Sequence, residues 1–274
     1  MAAYKGQPDA VLADVIPLRL NQPELAEQLI EANASRLAAI VLDPMPGRAG
    51  FIPPTPEFVS TIQAVAKKHG ILIIGDEVLN FRQGFTGACA RHGISPDLFT
   101  FGKIIGGGLP IGAIGGREDV MRVFDGSMGK PLVSQGGTFS ANPLSMVAGF
   151  ASMQALNHSA FAHLEELGDR LRGQLRASIE RHNAPFSITG VASLFQIHAK
   201  ATAPREFREA ATSAAETNVM LEVTRNFANF GIIIPNRVTA CLSTPMTQAD
   251  IDLVAGAFEH FLVARSDLVD TLSQ

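Results

Sequence analysis

The 274 residues are 46% hydrophobic and 18% charged, and 22 Lys+Arg against 26 Asp+Glu leave a formal net charge of -4. This composition describes a soluble folded chain, long enough for one large domain or two unequal ones at roughly 150 residues each. It excludes wholesale disorder, offers no basic stripe for a nucleic-acid backbone, and contains no apolar run of about 18 residues that would span a membrane.

The first residues, Met-Ala-Ala-Tyr-Lys-Gly-Gln-Pro, lack the apolar core of a signal peptide, so a cytoplasmic location is expected. From Val11 to Arg117 short apolar runs alternate with helical stretches, the signature of a parallel sheet covered by helices. The expected strands are Val11 to Pro17, Ala38 to Asp43, Ile71 to Gly75, Leu98 to Phe101 and Ile111 to Gly115, each short enough for a buried strand. Between them, Pro23 to Arg36 and Pro56 to His69 carry apolar residues at helical spacing, with Gly70 placed to close the second helix.

After Asn142 an apolar helix is expected through Leu156, then an amphipathic one over His158 to His182 with Leu164, Leu167, Leu171, Leu175 and Ile179 on one stripe. Strands at Phe186 to Thr189, Ser193 to His198, Gly231 to Ile234 and Thr239 to Leu242, with helices at Glu206 to Phe230 and Gln248 to Val263, complete a smaller α+β unit. Cys89 and Cys241 are too few for a disulfide framework and are both expected to be reduced and buried. The seven histidines show no metal-ligand spacing, so no metal is expected.

Three segments carry candidate chemistry. Ile71-Leu-Ile-Ile-Gly-Asp76-Glu77-Val78 ends an apolar strand in two carboxylates, at the strand end where open α/β sheets bind ligands. Such an acid serves a metal, a ribose hydroxyl, a cofactor nitrogen or a helix cap equally well. In the second segment a lone lysine, Lys103, follows a strand and is flanked by apolar residues and glycines. Desolvation there would favour the neutral amine that attacks carbonyls, whereas an exposed loop lysine is the simpler alternative.

The glycines after Lys103 fit neither phosphate-loop pattern. Gly102-Lys103 has no glycine five residues earlier and is followed by Ile104, and Ile111 stands where a dinucleotide motif needs Gly or Ala. The third segment, Ser134 to Leu144, puts hydroxyls and backbone amides ahead of a helix. It can grip a phosphate, or Ser140 or Asn142 can simply cap that helix.

Taken together, Asp76-Glu-Val78, Thr100-Phe-Gly-Lys103-Ile-Ile-Gly-Gly-Gly-Leu-Pro-Ile-Gly and Gly137-Thr138-Phe-Ser-Ala-Asn-Pro-Leu resemble class III aminotransferases, especially the glutamate-1-semialdehyde aminomutase branch. The resemblance extends to Asp43-Pro-Met-Pro-Gly47 and weakens beyond about Ser159. It implies a pyridoxal-phosphate-dependent transferase of fold type I, with a mostly parallel large domain over residues 1–156 and a small α+β domain over 157–274. By this resemblance Lys103 is the catalytic Schiff-base lysine and proton shuttle, Asp76 pairs with the pyridine nitrogen, Val78 packs on the ring, and Thr138 reaches the phosphate of a neighbouring subunit in a homodimer. Substrates are then a small amino donor and a carbonyl acceptor. An aminotransferase or aminomutase is expected, with a racemase, a β-amino acid transaminase or an inactive fragment keeping only dimerisation surfaces as alternatives.

The chain departs from the family pattern at several points. The family's N-terminal phosphate-binding loop and ring-stacking aromatic precede the position matching Met1, and the single tyrosine is Tyr4. Asp43 stands where Glu is usual, and Leu79-Asn80 replaces Met-Thr-Gly. The missing region implies an unfilled position inside the sheet, with unpaired edges on either side. Arg82, Arg225 and Arg237 are the candidates for a substrate carboxylate, each weighed against an ordinary surface or ion-pairing role.

Overall fold

A computed structural model describes residues 6–273; Tyr4 lies outside them. Helix α1 (Asp9–Ala13) is followed by α2 (Pro23–Asn33), β1 (Ala39–Leu42), α3 (Pro56–His69), β2 (Leu72–Asp76), α4 (Gly87–Arg91), β3 (Leu98–Gly102), β4 (Gly112–Gly116) and α5 (Glu118–Met121). The strands form one sheet in the order β1-β2-β3-β4. The pairs β1·β2 and β2·β3 are parallel, whereas β3·β4 is antiparallel. A parallel return needs a crossover of a dozen or more residues, and the short segment after Lys103 is not long enough for one.

Each helix boundary has a local cause. In α3, Thr55 Oγ1 accepts from Phe58 N at 3.2 Å, Pro56 occupies the first turn, and Gly70 ends the helix at φ +66°. The apolar face of α3 (Phe58, Val59, Ile62, Val65, Ala66) packs with Ala26 and Ile30 of α2 and Ile40 and Ile73 of the sheet. Burying each larger side chain of this kind stabilises the fold by roughly 1.5–3 kcal/mol.

The chain continues through α6 (Pro143–Ala155), α7 (His158–Arg181), β5 (Ser187–Thr189), β6 (Leu194–His198), α8 (Phe207–Ala210), α9 (Ala214–Asn229), β7 (Thr239–Cys241) and α10 (Gln248–Ala264). Strands β5, β6 and β7 form an antiparallel sheet in that order. The stripe on α7 is buried as expected, and Leu164, Leu167, Leu171 and Leu175 join Phe186, Phe227, Phe258 and Phe261 in a second core. A small cluster of Met45, Phe51 and Leu194 joins the loop after β1 to this second sheet.

Several expectations are corrected. Val11 to Pro17 is not a strand: Pro8 precedes the short helix α1, Val11 and Val15 are exposed, and the sheet begins at β1. Glu206 to Phe230 is two helices, because Ser213 and Glu216 form a capping box that starts α9 afresh. Gly231 to Ile234 has no strand partner, and Ile233 is fully exposed. Cys89 is buried but Cys241 is exposed. The expected gap inside the sheet is not found, since each strand from β1 to β4 is hydrogen-bonded to the next and the edges are β1 and β4.

Candidate functional site

The strand-end rule places the chemistry. Asp76 is the last residue of β2, and Asp76 and Thr100 are register partners, so Lys103 follows three residues after the residue opposite Asp76. Successive residues at a strand end point to opposite faces, and the two acids of this segment separate accordingly. Asp76 faces a cleft of about 740 Å³, lined also by Asp43, Arg48, Val78, Lys103 and Arg237. Glu77 is buried on the other side, where Oε2 and Oε1 accept from Ala88 N at 3.1 Å and Cys89 N at 2.6 Å. Glu77 is therefore the cap of α4, one of the roles the sequence left open for this pair of acids.

Asp76 Oδ1 accepts from Val78 N at 3.0 Å and from Thr100 Oγ1 at 3.2 Å. The two donors fix the direction of the carboxylate. Lys103 opens the turn after β3 at φ +51°, a left-handed conformation that costs a non-glycine residue on the order of 1 kcal/mol or more. Of the two alternatives for its environment, the exposed loop lysine holds and the desolvated one does not. Its loop is held from below by α6, where Ser152 Oγ donates to the Ile104 carbonyl at 3.4 Å.

Thr138 sits in an exposed turn and does not line this cleft. The capping alternative holds for the segment ahead of α6, with Asn142 as the cap: its Oδ1 accepts from Leu144 N at 3.0 Å and Ser145 N at 3.4 Å. Of the three arginines, Arg225 pairs with Glu222, and Arg82 donates to the Leu79 carbonyl at 3.2 Å and to Cys241 Sγ at 2.9 Å. Only Arg237 of these lines the same cleft as Lys103, and it is exposed there.

Asp43, in the sequence only a departure from the family's usual Glu, is a further residue of the cleft. It follows β1 directly, beside Asp76 in the next strand, and the strand-end rule applied to Asp76 would have found it. Its half-buried position, with Asp76 and Glu77 nearby, pushes its carboxyl up to about 6. Among the described residues no group of three or more His, Cys, Asp or Glu could hold a metal ion, and no helix is long and apolar enough to cross a membrane.

This donor set fits a pyridine aldehyde at two points: a carboxylate held ready for the ring nitrogen and a primary amine for the aldehyde, opening on one cleft. The class III aminotransferase family model matches residues 9–260. A glutamate-1-semialdehyde 2,1-aminomutase of Sorangium cellulosum is 39% identical over 211 residues, 76% of this chain and 47% of that protein. An omega-transaminase from Sphaerobacter thermophilus superposes with a TM-score of 0.92 at 35% identity, over 99% of this chain and 60% of its own. A solved transaminase with PLP bound gives a TM-score of 0.89 at 31% identity, over 100% of this chain and 62% of its own. The chain thus spans about half the length of the curated relatives it matches.

Proposed function

The chain belongs to the class III aminotransferase family, and on that premise we propose that it binds pyridoxal 5'-phosphate and serves amino-group transfer on an amino acid or amino-aldehyde. Its fold is that of the pyridoxal-phosphate-dependent transaminases, with a mostly parallel sheet as expected. The observation that carries the reading is the meeting of Asp76, Val78 and Lys103 on one cleft. Bound there, the cofactor supplies an electron sink for the pair of electrons left when a substrate C–H bond breaks.

The chain's own groups divide the remaining work. Asp76, held by Val78 N and Thr100 Oγ1, would accept a hydrogen bond from the protonated ring nitrogen and keep that proton on the ring. Val78 gives the ring an apolar face, and it is itself backed by Gly102, where a Cβ would lie 3.3 Å from Val78 Cγ1. Lys103 presents its amine at the cleft and moves the proton at the substrate carbon. Arg237, exposed on the same cleft, takes the substrate carboxylate.

A homodimer completes the reading, with Thr138 serving the partner's cofactor phosphate. Its support is that the segment carrying that turn leaves six apolar side chains exposed: Met128, Leu132, Phe139, Leu144, Val147 and Phe150. The aminotransferase and aminomutase readings share these residues and differ in whether the amino group leaves with one substrate or returns to it. The test is a spectroscopic titration of the chain with pyridoxal phosphate. An imine absorption band that Lys103→Ala abolishes, with affinity weakened about 10- to 100-fold in Asp76→Asn, supports the reading; no band in the folded chain overturns it in favour of an interaction protein.

A further inference from the structure

The two positions at which the sequence departs from the class III pattern beside the cleft are bonded to each other. Asn80 Nδ2 donates to Asp43 Oδ1 at 2.5 Å, and Met45 N donates to the same oxygen at 2.9 Å. Asn80 is fully buried and its orientation is determined: its Oδ1 accepts from Gln83 Nε2 at 2.8 Å, which leaves only Nδ2 for Asp43. Gln83 is buried too, and its Oε1 meets His92 Nε2 at 2.9 Å. A chain of side-chain amides therefore pins a carboxyl at the end of β1, next to the carboxyl at the end of β2.

The register makes that adjacency close. Leu42 pairs with Gly75, so Asp43 and Asp76 occupy the next position on neighbouring strands, which run about 4.8 Å apart. Asp76 faces Asp43 from the end of β2, Glu77 and the Cys89 thiol lie near it on the buried side, and Lys103, Arg48 and Arg237 stand on the cleft side. Two carboxylates this close, one of them half-buried, disfavour the doubly ionised state, and a cation brought to the pair relieves it.

We propose that Asp43 is a positioning residue of the ring-nitrogen subsite, acting through Asp76: the pair holds one proton while no cation is bound, and Asp43 releases it to solvent when a protonated pyridine nitrogen docks on Asp76. This rests on the reading that Asp76 takes the ring nitrogen. The balance is one N–H⁺ gained at the pair and one O–H lost from Asp43, so the cleft selects the protonated ring without accumulating charge. The upward push on the Asp43 carboxyl agrees in direction.

The experiment is calorimetric binding of pyridoxamine 5'-phosphate, which lacks the aldehyde and forms no bond to Lys103, in buffers of different ionisation enthalpy. At about pH 5 the chain is expected to release about one more proton on binding than Asp43→Asn does, with the difference vanishing at about pH 8. Asp43→Glu restores the release, and the carboxylic-acid infrared band of the unliganded chain at about pH 5 disappears on binding. Equal proton counts in chain and variant, with binding intact, overturn the role of Asp43 alone. No binding by the folded chain at either pH overturns the Asp76 reading, and this proposal with it. If Asp43→Asn does not fold, an infrared band that persists on binding to the unmodified chain overturns the proposal by itself.

Discussion

Gly149 of α6 lies against the backbone of Ile105, so close that a Cβ on it would sit 2.1 Å from the Ile105 carbonyl oxygen. Ile105 is two residues beyond Lys103, so the approach of α6 sets where the lysine loop rests. Gly149→Ala is expected to push helix and loop apart, destabilise the chain by about 1–3 kcal/mol, and lower the fraction of Lys103 that reacts with cofactor. Thermal unfolding and reductive trapping measured side by side check both effects; unchanged values in both would show that the loop is not braced by this helix.

Lys103 is exposed and left-handed, so its place in the turn is conformationally costly. Lys103→Gly, measured by denaturant unfolding, should raise stability by on the order of 1 kcal/mol because glycine adopts that conformation freely. Lys103→Ala should change stability little. A loss of stability in Lys103→Gly would mean that the lysine side chain makes a stabilising contact.

His198 and Asp43 give the pH dependence of stability opposite slopes. Burial beneath Gly50 and Thr189 pushes His198 down to about 4 from its usual 6.5. Its contribution is complete above about pH 6.5 and is lost as pH falls through that window toward 4, roughly 3 kcal/mol in all. Asp43, pushed up to about 6 from 3.8, contributes fully below about pH 4, and that contribution is lost as pH rises through 6, also roughly 3 kcal/mol.

Denaturant unfolding from pH 7 down to 4 separates the two. Relative to the unmodified chain, Asp43→Asn is expected to lose stability more steeply as pH falls, and His198→Gln less steeply. Parallel curves for all three proteins would contradict both assignments.

Much of this was legible from periodicity. The spacing predicted α3 and α7 nearly to the residue, since Thr55-Pro56 and Gly70 mark one and an unbroken leucine stripe marks the other. The strands ending in Asp76 and before Lys103 were legible because buried parallel strands are short continuous apolar runs. Val11 to Pro17 has the same composition but no neighbouring strand to bond it, and composition alone does not report a partner. The break before α9 was written in Ser213 and Glu216 and was overridden by the apolar periodicity on either side.

At the site, the strand ends pointed to Asp76 and Lys103 and the family resemblance to Val78, and the fold brings the three to one cleft. The left-handed backbone of Lys103, and which of its two environments holds, were not legible, because flanking residues describe neighbours along the chain and not those across the fold. The pairing of Asp43 with Asn80 lies in the same class: two residues far apart in sequence that only the β1·β2 register brings together. Arg237 stands on a loop whose approach to β2 and β3 no local pattern encodes.

The central claim is that Lys103 is the amine that takes the cofactor. The direct measurement is to add pyridoxal phosphate to the folded chain, reduce with borohydride and map the modified lysine by mass spectrometry. Label is expected to concentrate on Lys103 and to be absent from Lys103→Ala, although Lys67, Lys68 and Lys130 are also present in the chain. Label spread evenly over those lysines, or no label on a chain shown to be folded, would contradict it.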